Sequence, residues 1–402
     1  MSGVVVIGGG QAGASVVIKL RKLGFKEKIT LVGDEKILPY QRPPLSKGYL
    51  LGDISLERLF FRPQSYYEEN NINLRLGCQV NRINPKNKTI DIGKEKLGYD
   101  HLVLATGSRP IALPSSVGGN LKGVYSIRSL DDVDRMKPEF LCGKTVLVVG
   151  GGYIGLEAAA VAAKMGLKVI LLEMADRILK RVAASETSNY FRDLHRIRKV
   201  DLREGVGLKS LIGNNQVLGA VLTDGSEVNV DFVICGIGIN PNTELAEKSG
   251  LNVDNGIVTN IFGETSVPNI WAAGDCANLL FKGRRIRLES VQNAIDQAEC
   301  VAENIMGGSK EYKPNPWFWS DQYSTKLQIA GLNIGYNNII KRVENEETVS
   351  FWYYKNNELL AVDAMNDPRS YMVGKRLIEK GISPDVQAIE DKNFNLKLLL
   401  KP

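Results

Sequence analysis

VVVIGGGQAGASVV, Val4 to Val17, and VLVVGGGYIGLEAA, Val146 to Ala159, nearly repeat one another about 140 residues apart. Each passes from β-branched apolar residues through clustered glycines into helix-forming residues, so each reads as strand, tight turn and helix. Gly8, Gly10 and Gly13 fit the G-x-G-x-x-G spacing, and Ala14 to Leu23 carries helical periodicity. In such a unit the first glycine makes the turn, the second lets a pyrophosphate approach the backbone, and the third allows helix and strand to pack closely. Phosphate charge is favoured at the helix N-terminus. The strand KITLVGDE then reaches Asp34, about 20 positions after Gly13, where a carboxylate accepts ribose hydroxyls. Gly150, Gly152 and Gly155 repeat the pattern behind TVLVV, and KVILLE ends on Glu173. A single glycine signature also serves close packing. Two of them, each followed by a strand ending in an acid, imply two dinucleotides.

Size and composition agree with several domains. A chain of 402 residues exceeds one ordinary core. The hydrophobic fraction of 44% and charged fraction of 24% are those of a globular protein. No apolar run approaches the ~20 residues that cross a bilayer, and Val4 to Ile7 is too short for a signal h-region, so a cytoplasmic address and no membrane partner are expected. Cys78, Cys142, Cys235, Cys276 and Cys300 show no CxxC and no clustering with histidine, which predicts buried thiols and no metal. His101 reads as a strand-edge residue and His195 as a solvated helix residue. The net charge of +6 suits acidic partners. Its densest runs are KGRRIR, Lys282 to Arg287, near the proposed ligand mouth or simply a solvated hairpin, and RDLHRIRK, Arg192 to Lys199. Neither shows the aromatic interleaving of a nucleic-acid surface.

Further segments divide the chain. LVLATGSRP, Leu102 to Pro110, is a buried strand and turn, and NIWAAGDCA, Asn269 to Ala277, is a second one ending in Gly274 and Asp275. Asp275 either caps a helix or receives a ligand hydroxyl. From Trp317 onward KLQIAGL and TVSFWYYKNNELLAVDAM predict antiparallel strands, the latter a hairpin turning at Asn356 and Asn357. PRSYMVGKRLIEKG predicts a helix with proline early and Gly381 at its end. The fold class is α/β: two Rossmann-like dinucleotide-binding domains of glutathione-reductase type, one inserted in the other, plus an α+β C-terminal domain with an antiparallel sheet. Boundaries are expected at 1–111 and 247–315 for the first domain, 112–246 for the inserted one and 316–402 for the last.

PYQRPPLSKGYL, ATGSRP, GGGYIGLEAAA, GIGINPN, VDNGIVTN, AAGDCA, LESVQNAIDQA and PWFWSDQY together resemble the blocks of the FAD-dependent, NADH-using ferredoxin reductases. The resemblance runs in order from about residue 3 to about residue 365 and weakens over the last thirty-odd. It implies that the first unit binds FAD and the inserted one NADH. Gly8, Gly10, Ala12, Gly13, Asp34, Arg42, Lys47, Val80, Ala105, Thr106, Gly107, Arg128, Gly274, Asp275 and Val291 fall where the family contacts FAD. Gly150, Gly152, Tyr153, Ile154, Gly155, Glu157, Glu173 and Gly238 fall where it contacts NADH. Gln41 stands where many relatives carry glutamate.

The resemblance also assigns chemistry. Lys47 is implied at the flavin ring, paired with Glu157, where an ammonium stabilises the anion formed as the flavin is reduced; on composition alone Lys47 is a solvated loop charge and Glu157 a first-turn acid favoured by the helix dipole. Trp319 is implied beside the flavin; Trp317 and Phe318, as members of an aromatic cluster, read as core or interface. Glu173 takes the adenosine ribose hydroxyls and repels a 2′-phosphate, which favours NADH over NADPH; Arg177, Lys180 and Arg181 follow closely and read either as solvated charges or as partners for the extra phosphate of NADPH, the solvated reading being preferred. No cysteine pair, and no cysteine near LPYQRPP, is present to receive electrons within the chain. The expected activity is therefore NADH-dependent reduction of a small acidic 2Fe-2S ferredoxin through FAD, one electron at a time, in the service of a haem monooxygenase or ring-hydroxylating oxygenase. The expected assembly is a monomer or weak dimer. Rivals are a monodehydroascorbate-type reductase, an NADH oxidase, or a flavoprotein like apoptosis-inducing factor.

Overall fold

Continuous β-branched runs that are buried on both faces form the parallel sheets. The structure, a computed structural model, describes residues 3–401. It divides into two compact units, one holding the chain up to Gln41 with Ser55–Arg109 and Ile239–Pro316, the other holding Arg42–Ile54, Pro110–Gly238 and the chain from Trp317.

In the first unit five strands lie parallel in the order Ile270–Ala272, His101–Leu104, Val4–Ile7, Ile29–Val32 and Ile72–Arg75. Val4–Ile7, entirely buried, is central. The helix Gln11–Lys22 buries Val16, Val17 and Leu20 on a shared core with Ala298, Val301 and Ala302 of the helix Val291–Ile305. Lys19 ties the two helices at their rim, its Nζ 2.9 Å from carboxylates of both Glu299 and Glu303. The Lys282–Arg287 run forms a hairpin turn and returning strand, paired antiparallel with Ala277–Phe281. Asp275 precedes that strand and not a helix, so the capping reading fails. Its carboxylate accepts a hydrogen bond from the Ser108 hydroxyl at 2.9 Å.

In the second unit a sheet of the same design runs Asp201–Glu204, Lys168–Glu173, Thr145–Val149, Phe232–Cys235 and Val124–Ser126, all parallel. The alanine-rich helix Tyr153–Lys164 follows the glycine turn and is buried along most of its length, because its neighbours approach closely over Ala158, Ala159 and Ala162. The same unit carries a five-stranded antiparallel sheet in the order Trp317–Gln322, Thr325–Gly331, Glu358–Met365, Val349–Lys355 and Asn338–Val343. The expected hairpin turns at Asn356, whose φ of +53° is one that asparagine tolerates. The helix Pro368–Lys380 is capped by Asp367 on the Ser370 N–H at 2.9 Å and ends at Gly381 with φ +66°.

The cysteines require a correction. Cys235, Cys276 and Cys300 are buried, and burial pushes the Cys235 thiol up to about 12, but Cys142 is exposed and Cys78 half-buried. Cys142 sits in the turn before Thr145–Val149, where no sheet covers it.

Candidate functional site

The two glycine turns show the same division of labour. Gly8 has φ +116°, and a Cβ there would lie 2.0 Å from the Ala105 carbonyl oxygen. A Cβ on Gly13 would lie 1.9 Å from the carbonyl oxygen of Gly8. A Cβ on Gly10 would meet nothing within 4 Å. In the second turn Gly150 has φ +109° with Gly236 O 2.4 Å from its would-be Cβ, Gly155 would meet Gly150 O at 2.0 Å, and Gly152 again faces open space. The first and third glycines are required by the fold. Nothing in the fold requires the second, and the open space it faces has room for a pyrophosphate against the backbone.

Within the first unit the structure brings Gly274 against the start of the first turn's helix, its would-be Cβ 3.0 Å from that of Ala12 and 3.7 Å from that of Ala294. Thr106 and Asn242 fasten the segment after Leu104 to the returning chain, through Thr106 Oγ1 to Asn242 O at 2.7 Å and Asn242 Nδ2 to Thr106 O at 2.8 Å. Gly107 takes φ +66° beside them, and Val291 opens the helix whose N-cap is Ser290. Val80, buried, begins the strand Val80–Asn84. Asp34 is exposed. Strand register sets it apart from Glu173: Val149 pairs with Leu172 and Ile7 with Val32, so Gly33 holds the position that Glu173 holds in the repeat, and Asp34 lies one residue beyond.

Glu173 is built into its turn. Its Oε2 accepts the Gly151 N–H and its Oε1 the Ala175 N–H, each at 2.8 Å. Ile154 is exposed, Gly238 takes φ +118°, and Tyr153 places its ring 4.8 Å from that of Phe318 with its hydroxyl buried and unpartnered. Arg42 donates to the Arg128 carbonyl oxygen at 2.8 Å. Lys180 pairs with Asp176 at 3.0 Å and Arg181 is exposed, but Arg177 is half-buried and donates to Ser188 Oγ at 2.6 Å, so it is not the solvated charge expected.

The pair Lys47 and Glu157 is present, and it lies wholly in the second unit. Lys47 Nζ stands 2.6 Å from Glu157 Oε2 and 3.4 Å from the Pro43 carbonyl oxygen. Glu157, on the first turns of the helix Tyr153–Lys164, is 4% exposed. A buried carboxylate needs all its lone pairs answered. Two serines that the sequence reading passed over supply the rest: Ser46 Oγ donates to Oε2 at 3.0 Å and Ser320 Oγ to Oε1 at 2.8 Å. Beyond Ser320 lie Gln322, His195 and Tyr323. His195 is fully buried, which corrects the solvated reading. Burial pushes its imidazole down to about 4, against the hydrogen bond with Gln322 that raises it. A signal for these residues was available. Ser320 and Gln322 are two apart on the strand Trp317–Gln322 and so share a face, and both are buried. Trp319 falls on the alternate face of that strand, its ring 5.5 Å from that of Trp317.

Two family models match this chain: pyridine nucleotide-disulphide oxidoreductase over residues 2–298, and reductase C-terminal over residues 317–400. The second match corrects the expectation that the likeness fades in the last thirty-odd residues. Rhodocoxin reductase of Rhodococcus erythropolis is 40% identical, over 99% of this chain and 94% of its own. Putidaredoxin reductase of Pseudomonas putida is 39% identical, over 99% and 96% respectively. Among solved structures, the covalent putidaredoxin reductase–putidaredoxin complex superposes with a TM-score of 0.96 at 38% identity, covering 99% of this chain and 98% of that one. A ferredoxin reductase of Rhodopseudomonas palustris, for the CYP199A2 system, superposes with a TM-score of 0.95 at 36% identity, covering 99% of each.

Proposed function

Since the chain belongs to the pyridine nucleotide-disulphide oxidoreductase family, with the reductase C-terminal domain following, we infer that it is a ferredoxin reductase which uses FAD to pass electrons from NADH to a small 2Fe-2S ferredoxin serving an oxygenase. The observation that carries this reading is the near-complete superposition on the reductase captured with its iron-sulfur partner. When bound, FAD supplies the conversion between two-electron donation by NADH and one-electron uptake by the ferredoxin.

The residues present fit two dinucleotides. The open backbone at Gly10 and at Gly152 leaves room for a pyrophosphate in each unit, and the helices Gln11–Lys22 and Tyr153–Lys164 present their N-terminal N–H groups there. FAD is assigned to the turn of Gly8, Gly10 and Gly13, with Ala12, Asp34, Arg42, Val80, Ala105, Thr106, Gly107, Arg128, Gly274, Asp275 and Val291. NADH is assigned to the turn of Gly150, Gly152 and Gly155, with Tyr153, Ile154, Glu173 and Gly238. With one ribose-facing carboxylate oriented by two backbone N–H groups, Glu173 disfavours a 2′-phosphate. Lys47 spends two of its three N–H donors on Glu157 and Pro43, leaving one ammonium N–H for a ligand. A positive charge so fixed lowers the energy of negative charge that develops beside it. Trp319 is assigned next to the flavin, and domain limits of 1–111 with 247–315, 112–246 and 316–402 go with these assignments.

All five cysteines are free, and among the described residues no helix is long and apolar enough to cross a membrane; both support a cytoplasmic protein, which we take to be a monomer or weak dimer. Mixing the NADH-reduced holoprotein with a 2Fe-2S ferredoxin in a stopped-flow instrument tests the acceptor. The expected result is stepwise reoxidation by the ferredoxin, much faster than by oxygen or an organic radical. Reoxidation by oxygen or the radical that no ferredoxin outcompetes would overturn the assignment.

A further inference from the structure

The Lys47–Glu157 pair does not end at Ser320. From Ser320 Oγ, which donates to Glu157 Oε1 at 2.8 Å, hydrogen bonds continue to Gln322 Nε2 at 3.2 Å, from Gln322 Oε1 to His195 Nε2 at 2.9 Å, and from His195 Nδ1 to the Tyr323 hydroxyl at 3.1 Å. Ser320, Gln322 and His195 are fully buried, which shields the bonds among them from solvent, whereas Tyr323 at the far end is half-buried. We propose that these four residues form a one-way chain of donors that ends on Glu157, holds it as an oriented carboxylate against Lys47, and fixes the tautomer of His195 according to the charge of Glu157. The proposal rests on the reading of Lys47 and Glu157 given above.

The direction follows by elimination. A carboxylate only accepts, and Ser320 has one proton, so that proton is committed to Glu157. Ser320 must then accept from its other neighbour, which makes the Gln322 NH2 group the donor and turns the Gln322 carbonyl oxygen toward His195. An amide oxygen only accepts, so His195 carries its proton on Nε2. Its bare Nδ1 takes the Tyr323 proton. The imidazole must be neutral for this to hold, and its burial keeps it so at neutral pH. The hydroxyl of Tyr323 stays protonated, since burial pushes it upward and outweighs the opposing Arg198 guanidinium, which lies 5.3 Å from its ring centroid.

Each group has one role and no second choice while Glu157 is charged. Neutralising Glu157 removes that constraint at its source. Ser320, Gln322 and His195 are accordingly positioning residues. They act on the ammonium of Lys47 through Glu157, whose other oxygen already receives Lys47 and Ser46.

Glu157→Gln makes the test. Lys47 keeps the amide oxygen facing it, so the new NH2 group faces Ser320 and donates to it. Ser320 then donates to Gln322, the Gln322 amide turns over, and His195 must become the Nδ1–H form. The chain has only two histidines, so imidazole 15N spectra of the histidine-labelled holoprotein contain two rings, and the ring lost in His195→Gln identifies the relevant one. Expected are the Nε2–H tautomer in the parent and the Nδ1–H tautomer in Glu157→Gln. An Nδ1–H signal in the parent, or an unchanged tautomer in Glu157→Gln, overturns the proposal; should Glu157→Gln fail to fold, the parent spectrum alone still decides the direction. Ser320→Ala, which removes a hydrogen bond to a buried charge, should retain its flavin and reduce it with NADH about tenfold more slowly. An unaltered rate would remove Ser320 from the positioning role. A parent protein that binds no FAD would instead overturn the functional reading, and the tautomer result would stand apart from it.

Discussion

At the scale of single residues, the glycines separate what the fold demands from what a ligand demands. Gly155→Ala drives a methyl to within 2.0 Å of the Gly150 carbonyl oxygen, backbone against backbone. It should cost about 3 kcal/mol or more and lower the melting temperature by about 5 °C or more. Gly152→Ala meets nothing within 4 Å and sits at φ −80°, so the melting temperature should hold. If the turn holds pyrophosphate as we propose, its methyl enters that space, and the Kd for NADH should rise about tenfold, a loss of roughly 1.4 kcal/mol. Equal effects of the two substitutions on stability would contradict this division. Lys47→Ala belongs here too: it removes the fixed ammonium, and reduction of bound flavin by NADH should slow, with an unchanged rate excluding Lys47 from the reaction. The roles of the glycines were legible because spacing encodes them. Ser46 was not, because a serine beside a lysine in a loop has no period to betray it.

At the scale of elements, the helix Ser185–Ile197 shows how charge hides a buried face. Arg192, Arg196 and Arg198 surround His195 in sequence and make the segment read as solvated, yet Thr187, Phe191 and His195 recur every four residues and are buried together. This burial couples stability to pH. The folded imidazole resists protonation down to about 4, whereas the unfolded one takes up a proton near its ordinary 6.5. His195 therefore contributes fully above about 6.5, and its contribution is lost as pH falls toward 4, on the order of 3 kcal/mol in all. Asp363 works in the opposite sense. Burial raises its carboxyl to about 6, despite donation from Tyr353 and Thr187, so its contribution is present at low pH and lost as pH rises through 6. In His195→Gln the loss of stability on acidification, read from urea midpoints between about pH 6.5 and about pH 4.5, should be smaller than in the parent; what remains in that sense comes from His101, whose imidazole burial also pushes down, set against the opposite trend of Asp363. A variant that loses stability on acidification as steeply as the parent would show that His195 is not the group responsible.

At the scale of the whole molecule, the doubled strand, turn and helix was the legible part, because a buried parallel strand and a glycine turn each leave a local mark. The grouping of Arg42–Ile54 with the second unit left none, since it is made by contacts over a hundred residues away, such as Lys47 and Ser46 with Glu157. The end of the chain was illegible for a related reason. Arg342, 1% exposed, spreads its guanidinium over the carbonyl oxygens of Ile389, Asp391, Lys392 and Phe394, at 2.7 to 3.2 Å, and so ties down a segment with little periodicity of its own. A planar fork that serves four acceptors has no lysine equivalent.

The placement of the thiols has a practical corollary. With three sulfurs sealed in the interior and one half-covered, a water-soluble alkylating dye meets Cys142 first. That residue is not among those we assign to either nucleotide, nor does it belong to the lysine–carboxylate pair. It is a natural anchor for a fluorophore or spin probe that watches the protein while it turns over, and air oxidation would begin there by joining two molecules rather than by bleaching the yellow centre.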